Sequence, residues 1–239
     1  MTGRITLLAL TVASAAAAQT IPGAVMARNE PHHHVAYQDK DIRVLRVQIP
    51  AHDTTLLHEH GPDYFWIAIG ASEIVNAKVG AADAVVKSAD GDVHYSPGDF
   101  AHIARNNAAT PFNNISVELL KEQTHVHNLC EPALANSPLD CRSEPEVRGA
   151  SDHPAFATDQ LEVGVITIPP GSVMRPGSDL ANAWMIAIDT IDVGRTLMLE
   201  GTGRWTGGVF RSTGGTDWRL RNRGTATVRL LAITPRRAP

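Results

Sequence analysis

The sequence predicts an all-β chain of two small barrel or sandwich domains in tandem. Three observations predict it: hydrophobic alternation with a period of two, closely spaced turn signals, and an internal duplication. Alternation is clearest in Ile42-Arg43-Val44-Leu45-Arg46-Val47-Gln48-Ile49, where Ile42, Val44, Val47 and Ile49 stand among polar residues in short runs. Further strands are predicted at Phe65–Ile69, Ala84–Lys87, Asp92–Tyr95, His102–Arg105 and Ile115–Leu120. Turn formers separate them, as in Ala89-Asp90-Gly91 and Ser96-Pro97-Gly98-Asp99. Short strands with this Gly and Pro punctuation close into barrels or stack as sandwiches.

The duplication is visible by eye. Glu162–Ile168 precedes Pro169-Pro170-Gly171 as Ile42–Ile49 precedes Pro50-Ala51-His52, and Trp184-Met185-Ile186-Ala187-Ile188 answers Trp66-Ile67-Ala68-Ile69. Gly91…Asn106 and Gly207…Asn222 superpose without a gap, each followed by a strand, Ile115–Leu120 and Ala226–Ile233. So long a period excludes a solenoid and suits two domains. The predicted organisation is a first barrel over 28–125, a connector over 126–150 carrying Pro132, Pro138 and Pro145, and a second barrel over 151–239.

The N-terminal residues have a different character. Arg4 precedes an apolar run from Ile5 to Val12 and then a string of alanines, the layout of a secretory signal peptide, with cleavage expected after Ala18 or, second, after Ala27. The apolar run is short for a membrane span, and no later stretch approaches one. Export to the periplasm or medium is therefore expected, and with it a disulfide between Cys130 and Cys141; closing so short a loop is worth about 2–3 kcal/mol in the chain-entropy model. Unpaired thiols are the alternative. A formal net charge of −4 and the lack of a long basic cluster exclude nucleic acid as a partner. A small-molecule ligand or substrate is expected instead.

The chemistry-bearing residues lie in the first half. In Thr55-Leu56-Leu57-His58-Glu59-His60, strand alternation puts His58 and His60 on one face and Glu59 on the other. Downstream, Gly91, Pro97, His102 and Asn106 supply a turn and a third histidine. These two segments resemble the motifs of the cupin superfamily: a strand with H-x-H and a downstream Glu, then G-x5-P-x-G-x2-H-x3-N, here with the turn slightly altered. The resemblance implies a jelly-roll barrel, a tandem bicupin in this chain, with His58, His60 and His102 around a divalent metal at the barrel mouth. One departure stands out: where the family places its glutamate ligand this chain has Tyr64 or Phe65, and Asp63 is the nearby carboxylate. A three-histidine site is expected, with Asp63 or Tyr64 outside the ligand set. Neutral imidazoles suit Fe, Zn, Cu or Ni over Mg or Ca.

Laying the halves over each other puts Trp218 at the place of His102 and Phe210 at that of His94, while His58 and His60 fall within Arg175-Pro176-Gly177-Ser178-Asp179. The second barrel is thus expected to hold no metal, its one histidine, His153, lying ahead of its first strand. Phe210 suggests that His94 faces the pocket; a surface position is the alternative. Tyr64, Asp63 and His94 are the candidate catalytic groups. The tract His32-His33-His34 and the pair His125 and His127 lack an evident third partner and are read as structural or solvated. The family resemblance implies dioxygenases, isomerases, lyases and small-ligand binders. Lack of the glutamate inclines the reading toward dioxygenase-type chemistry on a small oxygen-containing molecule, with a non-catalytic exported ligand- or metal-binding protein as the alternative.

Overall fold

The computed structural model describes residues 21–141, 151–175, 180–188, 196–200, 205–206, 208–212 and 218–236. The expected leader over 1–18, residues 142–150 of the expected connector and positions 176–179 lie outside the described residues.

The first half carries β1 (Val25–Met26), β2 (His33–Gln38), β3 (Ile42–Ile49), β4 (His58–His60), β5 (Tyr64–Ala68), β6 (Ser72–Lys78), β7 (Ala84–Ser88), β8 (Val93–Ser96), β9 (Phe100–Arg105) and β10 (Phe112–Leu119). The second half carries β11 (His127–Asn128), β12 (Ser151–Ala157), β13 (Leu161–Ile168), β14 (Val173–Met174), β15 (Trp184–Ala187), β16 (Leu197–Glu200), β17 (Trp205–Thr206), β18 (Val209–Arg211), β19 (Arg219–Asn222) and β20 (Val228–Pro235). They form four sheets, ordered β1-β4-β9-β6-β7, β2-β3-β10-β5-β8, β11-β12-β13-β20-β15-β18-β17 and β14-β19-β16. The described residues are almost entirely strand and turn, with a 3-10 turn at Ala27–Asn29.

Strand parity explains how the layers stack. In β5, Phe65 and Ile67 point one way and Tyr64 and Trp66 the other; in β10, Ile115 and Val117 oppose Asn114 and Ser116. Phe65, Ile67, Ile115 and Val117 pack against Phe156, Val163, Trp184 and Ile186 of the third sheet, so the second and third sheets share one core between the two halves. Full burial of each such side chain is worth about 1.5–3 kcal/mol. Asp39 seals its edge: its carboxylate accepts from Trp184 Nε1 at 2.9 Å, Tyr37 Oη at 3.0 Å and Arg211 at 3.4 Å. The opposite face of the second sheet looks onto the first sheet, with Leu45, Val47, Ile49, Ile74 and Phe112 between them.

Matching turns support the duplication. The left-handed turn positions after β3 and β13 are His52 (φ 59°) and Gly171 (φ 74°). Asn106 donates to Ile49 O at 3.1 Å and Thr110 O at 2.9 Å; Asn222 donates to Ile168 O and Ala226 O, both at 2.8 Å. Two expectations need correction. The connector does not begin as a linker: β11 pairs with β12, and buried Asn128 donates to Leu134 O at 3.0 Å and Ser137 O at 2.9 Å, closing the loop that the Cys130–Cys141 disulfide also ties. His153 lies within β12 rather than ahead of it.

Candidate metal centre

The first and second sheets leave a cavity of about 220 Å³ between them, whose polar end is built from histidines. His58 and His60 project from the same face of β4, and His102 faces His58 across the β4–β9 ladder. Their side chains converge, with ring centroids 4.4–5.2 Å apart. All three are buried. Glu59, of opposite parity, lies half-buried and accepts weakly from Ile21 N at 3.4 Å.

His33 joins the group, contrary to the sequence reading of its tract as structural or solvated. Its ring lies 4.7 Å from that of His58, and one ring nitrogen from each of His33, His58 and His60 falls within 4.8 Å of the others. His32 bonds Glu30 and Asp53, and His34 is exposed. A β-bulge between Val35 and Tyr37 breaks the alternation of β2, which hid this face in the sequence. His125 is exposed against Asp159, and half-buried His127 in β11 donates to the His125 carbonyl.

Hydrogen bonds fix the ring tautomers. His58 Nδ1 donates to Leu56 O at 2.9 Å, and His102 Nδ1 to Asn76 Oδ1 at 2.7 Å. Each ring therefore presents a bare Nε2, and His58 Nε2 is buried with no partner, as is His60 Nδ1. His60 Nε2 and His102 Nε2 lie 3.2 Å apart. Two nitrogens each about 2.0–2.1 Å from one ion stand at about that spacing, so this pair is spaced as two ligands of one divalent transition metal would be.

Burial, then the neighbouring His33, lowers the His58 pKa to about 4; burial, then His58, lowers that of His102 to about 3. Burial and His102 push His60 well below its ordinary value. At neutral pH the imidazoles are thus free to bind a metal without losing a proton. Unfolded histidines protonate near 6.5 while these do not, so metal-free protein is expected to lose stability as pH falls from about 6.5 toward 4 and to be insensitive to these groups above 6.5. Urea midpoints of metal-free protein at pH 7.5 and 5 check this; equal midpoints would show that the cluster does not stay neutral.

The catalytic candidates separate clearly. Tyr64 stacks on His60 at 4.1 Å and lines the cavity, and burial pushes its phenol up to about 12. His94 also lines the cavity, as the Phe210 match suggested; it stacks on Trp66 at 4.2 Å, and its Nε2 meets Ser88 Oγ at 3.1 Å. Burial lowers its pKa. Asp63 does not belong to the site, correcting that expectation: it accepts from Tyr95 Oη and from Gly98 N at 3.0 Å and takes no part in lining the cavity. It pins the turn where Gly98 approaches Gly61 and Pro62 so closely that a Cβ would run into the Gly61 carbonyl oxygen.

The second barrel closes the same space with side chains. Trp218, at the place of His102, packs with Phe210, Met174 and Leu220 in a continuous core.

No protein-family model matches the sequence, and no curated protein matches it. Solved structures do. AerE from Microcystis aeruginosa is 12% identical with a TM-score of 0.60, covering 87% of this chain and 94% of its own. Salicylate 1,2-dioxygenase from Pseudaminobacter salicylatoxidans is 11% identical with a TM-score of 0.51, covering 83% and 72%. A variant of oxalate decarboxylase from Bacillus subtilis is 10% identical with a TM-score of 0.53, covering 84% and 71%. At these identities the likeness is one of fold, and it agrees with the duplicated β-architecture: the chain has the cupin fold, in its tandem form.

Proposed function

We propose that this chain is an exported metal-dependent enzyme of dioxygenase type, whose first barrel holds one divalent transition metal through His58, His60 and His102 and acts on a small oxygen-containing molecule. The carrying observation is the bare, buried Nε2 of His58 beside the facing Nε2 atoms of His60 and His102. A buried polar atom without a partner costs about 1–3 kcal/mol, and a metal would satisfy it. The bound ion supplies Lewis acidity and, if redox-active, a partner for dioxygen.

The remaining lining residues favour oxygen chemistry over isomerase or lyase chemistry. None of them is a carboxylate, and His94 is already bonded to Ser88, so the cavity has no strong general base for proton abstraction. Tyr64, held neutral beside His60, is placed to donate a hydrogen bond to a ligand. Trp66, Phe112, Val47 and Ile49 make walls that keep water out, and Asn114 and Ser116 offer polar contacts. The lack of a base also favours a second reading, a non-catalytic exported protein that captures a ligand. Export rests on the leader-like first residues and agrees with the Cys130–Cys141 bond. Among the described residues no helix is long and apolar enough to cross a membrane.

Metal analysis of protein from its native compartment, followed by dioxygen uptake with neutral diketones, thiols and phenols, tests the proposal. Stoichiometric iron or copper with substrate-dependent uptake is expected. A bound metal with no uptake by any of them would favour the capture reading, and no metal would overturn the proposed enzyme.

A further inference from the structure

The tract Glu30-Pro31-His32-His33 is built as a unit. Glu30 is 1% exposed. Its Oε1 accepts from His32 Nδ1 at 3.0 Å and Leu56 N at 3.1 Å; its Oε2 accepts from His32 N at 2.8 Å and His33 Nδ1 at 2.6 Å. All the acceptor capacity of the carboxylate is engaged.

Removing a carboxylate from water is costly, by several kcal/mol even after relaxation. What this one accomplishes is specific: it takes the Nδ1 hydrogen of His33, leaving the far nitrogen, Nε2, as a bare donor on the side of His58 and His60. Carboxylate–imidazole pairs of this kind fix the tautomer of metal-ligating histidines and raise their basicity. The same device recurs around the cluster, with Leu56 O serving His58 and Asn76 serving His102. His33 differs only in having the strongest acceptor of the three.

We infer that His33 is a fourth imidazole donor to the metal, and that Glu30 is its positioning residue. The inference rests on the metal site proposed above. It also accounts for the missing family glutamate. The carboxylate of this site stands one step back from the ion, reaches it through an imidazole, and comes from the bend between the 3-10 turn and β2 rather than from the stretch after His60. Four neutral donors leave the ion its full charge and leave fewer positions for water or substrate than three would.

The test loads purified full-length protein with Co(II) or Cu(II) and reads spectra and affinity rather than turnover. Cu(II) in the unmodified protein is expected to show the nitrogen hyperfine pattern of four imidazoles; a pattern of three would overturn the inference. His33→Ala should weaken Co(II) binding by more than about 100-fold in chelator competition and change its visible spectrum, and Glu30→Gln should weaken it about 10–100-fold. His32→Ala leaves Glu30 bonded to His33 and should leave the spectrum unchanged. If His33→Ala binds Co(II) with wild-type affinity and spectrum, His33 is no ligand while the three-histidine site stands. If unmodified protein binds neither ion, the metal reading itself fails.

Discussion

Replacing His60 with alanine is expected to weaken metal binding by more than about 100-fold, beyond the 10–100-fold typical of losing a partner behind a ligand. The ring is 2% exposed and its Nε2 lies 3.2 Å from that of His102, so its loss takes a buried donor out of the cluster. Secondary structure should survive, because the ring's Nδ1 has no partner in the fold and its Nε2 meets a side chain, His102, rather than the backbone. His58→Ala and His102→Ala should behave likewise. Glu59→Ala should leave binding unchanged, since strand parity turns Glu59 to the other face, where it accepts a long bond from Ile21 N. Chelator competition and circular dichroism on the four variants decide it. Loss of the ion in Glu59→Ala with retention in His60→Ala would mean that β4 presents its other face to the cavity.

Much of this architecture is legible in the sequence because the relevant signals are local. The spacing of His58 and His60 on an alternating strand, and the gapless match of Gly91…Asn106 to Gly207…Asn222, need only the period of a strand. What was illegible depends on layers. Phe65 and Ile67 alternate with Tyr64 and Trp66, all of them aromatic or aliphatic, so no solvent-facing side reveals which set lines the cavity and which forms the core shared with the second half. His33 was missed for a related reason. Its strand pairs with β3 through a bulge, which shifts parity between Val35 and Tyr37. The signal that could have found it is Glu30, a carboxylate three residues ahead of a histidine in a tract otherwise read as solvated. Asp63 misled in the opposite direction: proximity in sequence to His60 did not survive the turn at Gly61-Pro62, which aims its carboxylate at Tyr95 and Gly98.

Trp218→Ala is expected to destabilise the whole protein by about 3–5 kcal/mol, the range for truncating a large buried aromatic. The indole is 1% exposed, and its ring meets Phe210 edge-to-face at 5.1 Å within the core that fills the second barrel. Alanine would leave a void bounded by strands of two sheets, which a barrel relaxes into poorly. The damage should not stay in the second half. Phe156, Val163, Trp184 and Ile186 sit on the reverse of the same third sheet and complete the core against Phe65, Ile67, Ile115 and Val117. Loosening that sheet therefore exposes apolar surface of the metal-bearing barrel as well. Urea unfolding followed by tryptophan fluorescence and by release of bound Co(II) should give coincident transitions, both shifted to lower denaturant. If the fluorescence transition shifts while the Co(II) signal keeps its wild-type midpoint, the halves fold independently and the shared core contributes little. If neither shifts, Trp218 is not packed as described.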